Sequence, residues 1–220
     1  MTRRSPGLVL PAVASLLCLV LSACGGDPQV SSGTSDNPGG LLTSGGGSST
    51  YRGAEPAKPY RMPDVTLTAT NDQDFNLITD TAYPVTLVFF GYTHCPDVCP
   101  LVMNDLAQTV LQLPDSVRSQ TQVVYITTDP QRDTPTVLRD YLDHYNADFV
   151  GLTGSMATIL KVADDLGVAI QGRQRLPSGG YDVGHGAQII GFHGDAAPVI
   201  WTEGTPVSDI VHDIETLDGS

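Results

Sequence analysis

The run Pro84-Val-Thr-Leu-Val-Phe-Phe-Gly-Tyr92 constrains the fold more than any other stretch of the chain. A strand with one wet face alternates apolar and polar residues, whereas an unbroken apolar run marks a strand buried on both faces. A strand of that kind needs cover above and below. Helices packed on both sides of a sheet supply it, so the run predicts an α/β architecture. The segment "QVVYITTD", Gln122 to Asp129, reads as a second buried strand.

Helical spacing follows the first strand, with Leu101, Val102, Leu106, Val110 and Leu113 on one stripe between Pro100 and Leu113. Thr134 and Pro135 suit the N-cap and first position of a second helix reaching Tyr145. "ADFVGLTG" reads as a short strand and turn. Ser155 to Leu166 reads as a helix closed by Gly167, and "VAIQGRQ" as a strand that ends at a turn containing "GGY". "AQIIGF" and "APVIWTEG" predict a hairpin, and Val207 to Leu217 a last helix. Near the start of the domain, "DVTLTAT" and "DFNLIT" alternate around "NDQ" and predict an N-terminal β-hairpin. The whole pattern is a mixed central sheet flanked by helices, over residues 61–220.

The 220-residue chain opens differently. Arg3 and Arg4 precede an apolar stretch from Leu8 to Leu21, broken by Pro11. That stretch is short for a membrane span and fits a secretory signal. It ends in Leu21-Ser22-Ala23-Cys24, which resembles a bacterial lipobox. Residues 1–23 are therefore expected to be a lipoprotein signal peptide, with Cys24 the lipidated N-terminus of an extracytoplasmic protein held at the cell membrane. Gly, Ser, Pro and Asn dominate residues 25 to about 60, so residues 24–60 are expected to form the lipidated cysteine and a flexible tether. About 36 such residues reach roughly 30–36 Å.

The net charge is −13, and removal of Arg3 and Arg4 makes the chain more acidic still. Such a surface repels nucleic acid and anionic headgroups, so no nucleic-acid partner is expected.

With Cys18 in the signal and Cys24 assigned to lipid, Cys95 and Cys99 are the two thiols left for the domain. A bridge between residues so near in sequence closes a small loop and adds little stability, so the pair points to chemistry. The cysteines sit where a buried strand gives way to a helix, and a helix N-terminus favours thiolate. Positions i and i+4 of a regular helix hold Cβ atoms about 5–6 Å apart, wider than the ~3.5–4.5 Å of a disulfide. A metal spans that gap more easily, although a distorted first turn would still permit a bridge. Two soft thiolates suit copper(I), whereas a structural zinc site needs four protein ligands. Among His94, His144, His185, His193 and His212, His185 is the best placed third donor, in a Gly-flanked loop before an apolar strand. Asp97 is expected to favour the helix dipole rather than bind metal.

The segments "FFGYTHCPDVCP", "ITTDPQRDTP" and "FVGLTG", with the late histidine, resemble the Sco/SenC family of copper proteins over the whole domain. The resemblance implies a thioredoxin-like fold and copper, as Cu(I) or Cu(II), held by Cys95, Cys99 and His185. It also implies a role in assembling the dinuclear copper centre of cytochrome c oxidase. The partners would then be the copper-receiving oxidase subunit, an upstream copper donor and a thiol reductant. Gly184 and Gly186 depart from the family pattern of aspartate before the histidine and often serine after it. Asp182 is the nearby carboxylate that could orient the histidine instead. Asp129 and Arg132 are expected to support the site without binding metal. A different class of function needs no metal: a thiol–disulfide oxidoreductase, reducing partner cysteines or responding to peroxide, could use Cys95 and Cys99 as its redox pair.

Overall fold

The computed structural model describes residues 49–81, 83–175 and 180–219. The signal peptide, Cys24 and most of the expected tether lie outside the described residues. The elements, in chain order, are β1 (Tyr60–Arg61), β2 (Thr66–Ala69), β3 (Asp74–Asn76), β4 (Val85–Gly91), α1 (Val98–Gln112), α2 (Asp115–Arg118), β5 (Thr121–Thr127), α3 (Pro135–Asp143), β6 (Val150–Thr153), α4 (Met156–Asp165), β7 (Ile170–Arg175), β8 (Tyr181–His185), β9 (Ile189–His193), β10 (Ala196–Trp201) and α5 (Val207–Asp218).

Among these residues, eight strands form one mixed sheet in the order β1-β10-β9-β4-β5-β6-β2-β3. β4, β5 and β6 run parallel, and β9 joins the other edge of β4 antiparallel. β2 and β3 pair antiparallel, with Leu67 opposite Phe75. Every residue of β4 is buried, and the reason lies in its two faces. Val85, Leu87 and Phe89 pack with Met103, Leu106, Leu138 and Ile214, which places α1, α3 and α5 on one side. Val88 and Phe90 pack with Ile159 and Val162 of α4 on the other. Gly91 ends the strand where Tyr125 and Phe89 crowd it, since a Cβ there would lie 2.7 Å from the Tyr125 hydroxyl.

The helix signals act as the sequence predicts. Thr134 and Ser155 cap α3 and α4 by accepting from the Val137 and Thr158 amides. Gly167 follows α4 in the left-handed region, φ +66°, where a side chain would be strained.

Residues 49–60 differ from the expected tether. Arg52 and Gly53 donate their amides to the fully buried Asp213 carboxylate, both at 2.8 Å, and Trp201 Nε1 donates to the same group. Ala54 bridges to Ile200, and Tyr60 and Arg61 add strand β1 to β10. The polar composition of this stretch hides backbone pairing that distant acceptors supply.

His185 also differs from its expected loop setting. It is the last residue of β8, which pairs with β7 as a separate two-stranded ribbon. Glycines at 184 and 186 suggested a loop, but Gly184 is strand.

Candidate metal centre

α1 begins at Val98, so Cys95 lies in the loop before it and Cys99 in its first turn. The pair is therefore not i, i+4 on a regular helix, and the loop brings the sulfurs together. Pro100 is tolerated because the first-turn amides of a helix have no intrahelical acceptor. Cys95 Sγ takes over a capping role, accepting the Cys99 amide at 3.4 Å. The Asp97 side chain makes no cap bond.

The imidazole arrives from β8. His185 Nε2 stands 3.3 Å from Cys99 Sγ. The ligand atoms of Cys95, Cys99 and His185 all lie within 4.8 Å of one another. His185 Nδ1 donates to the Gly186 carbonyl at 3.0 Å, which fixes the proton on Nδ1 and turns the Nε2 lone pair toward the sulfurs. That carbonyl performs the orienting task for which the sequence offered Asp182 as a substitute. The Asp182 carboxylate instead accepts from the Tyr92 hydroxyl. Tyr92 and Phe89 then set their rings edge-on to the imidazole, centroids 5.8 and 6.3 Å away. Asp182 thus reaches His185 through Tyr92, a link the sequence motif contained but did not reveal.

The two thiols are electrostatically unequal. Cys99 is fully buried and Cys95 partly exposed. The hydrogen bond from Cys99 is the main cause that lowers the Cys95 thiol to about 4, against opposition from burial, with help from the Asp97 and Cys99 amides. The same bond and burial push Cys99 far up. One proton therefore sits on the inner sulfur, and the outer one is a thiolate. Beneath the cysteine loop, Asp133 accepts from the Thr93 amide, the Thr93 hydroxyl and the Thr127 hydroxyl, at 3.0, 2.6 and 2.6 Å. Burial raises the Asp133 carboxyl, and the threonine bonds counter it.

The site opens into a cleft of about 250 Å³ lined by Tyr92, Cys95, Asp97, Asp182 and His185 among others. A larger cavity of about 670 Å³ lies at the other end of the parallel strands, against Thr121 and Val150, far from the sulfurs. The remaining histidines stay outside the cluster. His94 is exposed, with Nδ1 2.9 Å from the Thr93 hydroxyl. His144 closes α3, with Nδ1 on the Asp140 carbonyl. His193 ends β9 in an exposed position, and His212 meets Asp213 at 3.2 Å. Asp129 and Arg132 pair with each other beside the ribbon, and neither belongs to the donor cluster. A soft donor set of two sulfurs and one imidazole nitrogen can hold a thiophilic metal ion.

Comparison with known proteins agrees with this picture. The SCO1/SenC family profile matches residues 55–217. A Stutzerimonas stutzeri protein named for copper binding is 38% identical over 129 residues, 58% of this chain and 62% of that one. The Rickettsia felis "SCO2-like protein" is 40% identical over 80 residues, 36% of this chain and 38% of its own. The matches thus span less than two thirds of either relative. Among solved structures, apo Sco1 from Thermus thermophilus is 28% identical with a TM-score of 0.68, covering 78% of this chain and 99% of that one. Bradyrhizobium japonicum ScoI with copper bound is 26% identical with a TM-score of 0.60, covering 72% of this chain and 97% of that one. The mixed sheet with helices on both faces is the thioredoxin-like fold of these proteins. With its profile match running through nearly the whole described domain, the chain belongs to the SCO1/SenC family.

Proposed function

We propose that the chain is a membrane-tethered copper-binding assembly factor for the dinuclear copper centre of cytochrome c oxidase. The observation that carries the reading is the convergence of Cys95, Cys99 and His185 within 4.8 Å. Copper is the cargo. Cys95 and Cys99 would supply thiolates and His185 Nε2 the third donor, a set that suits Cu(I) and tolerates Cu(II). Copper-bound Bradyrhizobium japonicum ScoI, on the same fold, supports the choice of metal. The sulfurs also provide a redox gate. Joining them as a disulfide removes two electrons and the one proton on Cys99; an external disulfide oxidant takes the electrons, with its second proton from solvent, and no thiolate is left for the metal. The partners are an oxidase subunit that receives copper, an upstream donor and a thiol reductant.

Copper titration of the reduced and oxidised protein tests this reading. The reduced form should bind one equivalent, and the oxidised form at least tenfold more weakly, a change of about 1.4 kcal/mol or more. Equal affinities would sink the redox gate, and no stoichiometric binding to the dithiol would sink the copper role. Anchoring rests on Cys24. Cys24→Ser should shift the protein out of the membrane fraction, and mass spectrometry showing an unmodified Cys24 in the mature chain would refute the lipid anchor.

A second reading has its own observation. A partly exposed outer thiolate backed by a buried inner thiol is the asymmetry a thiol–disulfide oxidoreductase needs, with Cys95 attacking and Cys99 resolving. His185 separates the two. A dithiol enzyme works without an imidazole donor from a distant strand, whereas the copper site depends on it.

A further inference from the structure

His185 stands on a ribbon that is not part of the main sheet. A two-stranded ribbon is marginal by itself in water. Most of β7 is exposed along its length. Something must press this ribbon onto the carboxyl ends of β4 and β5, or the imidazole will not hold its place.

The period-two geometry of β8 puts Tyr181, Val183 and His185 on one face. Val183 is buried in the core beneath that face, and His185 meets Cys99. Tyr181 donates its hydroxyl to both oxygens of Asp129, at 3.0 and 2.9 Å. Asp129 follows β5 and its side chain is wholly buried. On the partner strand, Arg173 donates to the same carboxylate at 3.1 Å and to Gln131 Oε1 at 2.6 Å. Arg132 completes the carboxylate's shell through its Nε. Its guanidinium lies over the Tyr181 ring at 3.8 Å and near the Tyr92 ring at 5.6 Å. The Arg173 guanidinium also lies over Tyr181, at 4.6 Å. One buried carboxylate therefore gathers donors from both strands of the ribbon.

We propose that Asp129 is a positioning residue: with Arg173 and Tyr181 it latches the β7–β8 ribbon to the end of β5 and so fixes where His185 meets the cysteines. A stiff, period-two strand transmits that fixing along the five residues from Tyr181 to His185. The charge pattern suits a latch. A carboxylate buried with two guanidiniums is costly to pull apart, because opening strands a buried charge. The inference builds on the copper reading for its consequence, but the latch itself exists with or without metal.

The test uses the full chain. Asp129→Ala would leave Arg132 without its buried partner and could unfold the protein, so the variants are Arg173→Ala and Tyr181→Phe, separately and together. Hydrogen exchange on the metal-free dithiol protein comes first. The double variant should speed exchange of the Val183 and His185 amides at least tenfold while those of β4 and β5 hold their rates. Copper affinity comes second. Outer-shell losses run at about 10–100-fold, and the double variant should fall in that range, with weakened imidazole hyperfine coupling in the Cu(II) spectrum. In a His185→Ala background the same double change should alter affinity less than about twofold, since a residue acting through His185 has nothing left to position. Unchanged exchange in the ribbon would overturn the latch. Equal losses with and without His185 would overturn the positioning role. If wild type and His185→Ala bind copper alike, the copper-site reading fails instead, and the exchange result alone decides the latch.

Discussion

At Cys95 and Cys99 the structure divides one proton unequally between two sulfurs. An ordinary thiol titrates near ~8.5. The outer sulfur, fed by the Cys99 hydrogen bond and by amides at the start of α1, is lowered to about 4. Its folded value lies below its unfolded one, so the thiolate contributes stability above the unfolded pKa. That contribution fades as the pH falls through the folded value. Reactivity follows the same window. In the metal-free reduced protein, alkylation of Cys95 by iodoacetamide should stay nearly constant from pH 8 to about 5 and fall off toward pH 4. Cys99, buried and protonated, should react at least tenfold more slowly throughout. Peptide mapping by mass spectrometry reads both rates. Cys99→Ala removes the main stabilising bond and should move the Cys95 curve upward. A wild-type curve that already falls between pH 9 and 8 would show an unperturbed thiol and contradict the arrangement. The copper site and the rival redox enzyme both use this thiolate, so the measurement concerns the chemistry they share.

Among the elements, what could be read from the sequence depended on whether the signal was local. β4 and β5 announced themselves because burial on both faces leaves them mostly apolar, and the few polar side chains, such as Gln122 and Thr86, bond to each other inside the sheet. α3 and α4 were legible through Thr134, Pro135 and Ser155, whose capping chemistry acts within one turn. β8 was not legible as a strand. Its five residues include Gly184, and what makes them a strand is pairing with β7. β1 and the preceding segment were hidden for a similar reason, since their partners, β10 for the strand and Asp213 and Ile200 for the segment, lie far along the chain. In the site, the cysteine spacing was visible and pointed to a metal or redox role. The convergence of His185 was not visible in spacing, and family resemblance supplied it. Asp129 and Arg132 stood out as a motif, but their task depends on Arg173 and Tyr181, more than 40 positions away in sequence. Asp182 is the carboxylate that proximity in sequence offers for orienting the histidine. The backbone geometry after β8 gave that role to the Gly186 carbonyl, which no side-chain pattern could signal.

For the molecule as a whole, the candidate donors come from two distant stretches of the domain's sequence, and this ties metal binding to folding. Cys95 and Cys99 remain neighbours in the unfolded chain, so a thiophilic ion can still bind there. His185 joins them only when the sheet and the ribbon are formed. Metal stabilises the fold only through the difference between native and unfolded affinity. If the imidazole makes the native site 100-fold tighter, the gain at saturation is about 2.7 kcal/mol. A domain of this size shifts by roughly 2–4 °C per kcal/mol. Stoichiometric copper(I) should therefore raise the Tm of the reduced protein by about 5–11 °C. In His185→Ala the native site retains only the two sulfurs that the unfolded chain also has, so the shift should fall below about 3 °C. Cys95→Ser should abolish it. Differential scanning calorimetry with and without copper measures all three. An equal shift in wild type and His185→Ala would mean that the histidine adds no native-state affinity, and the metal would then have to be assigned to the cysteine loop alone.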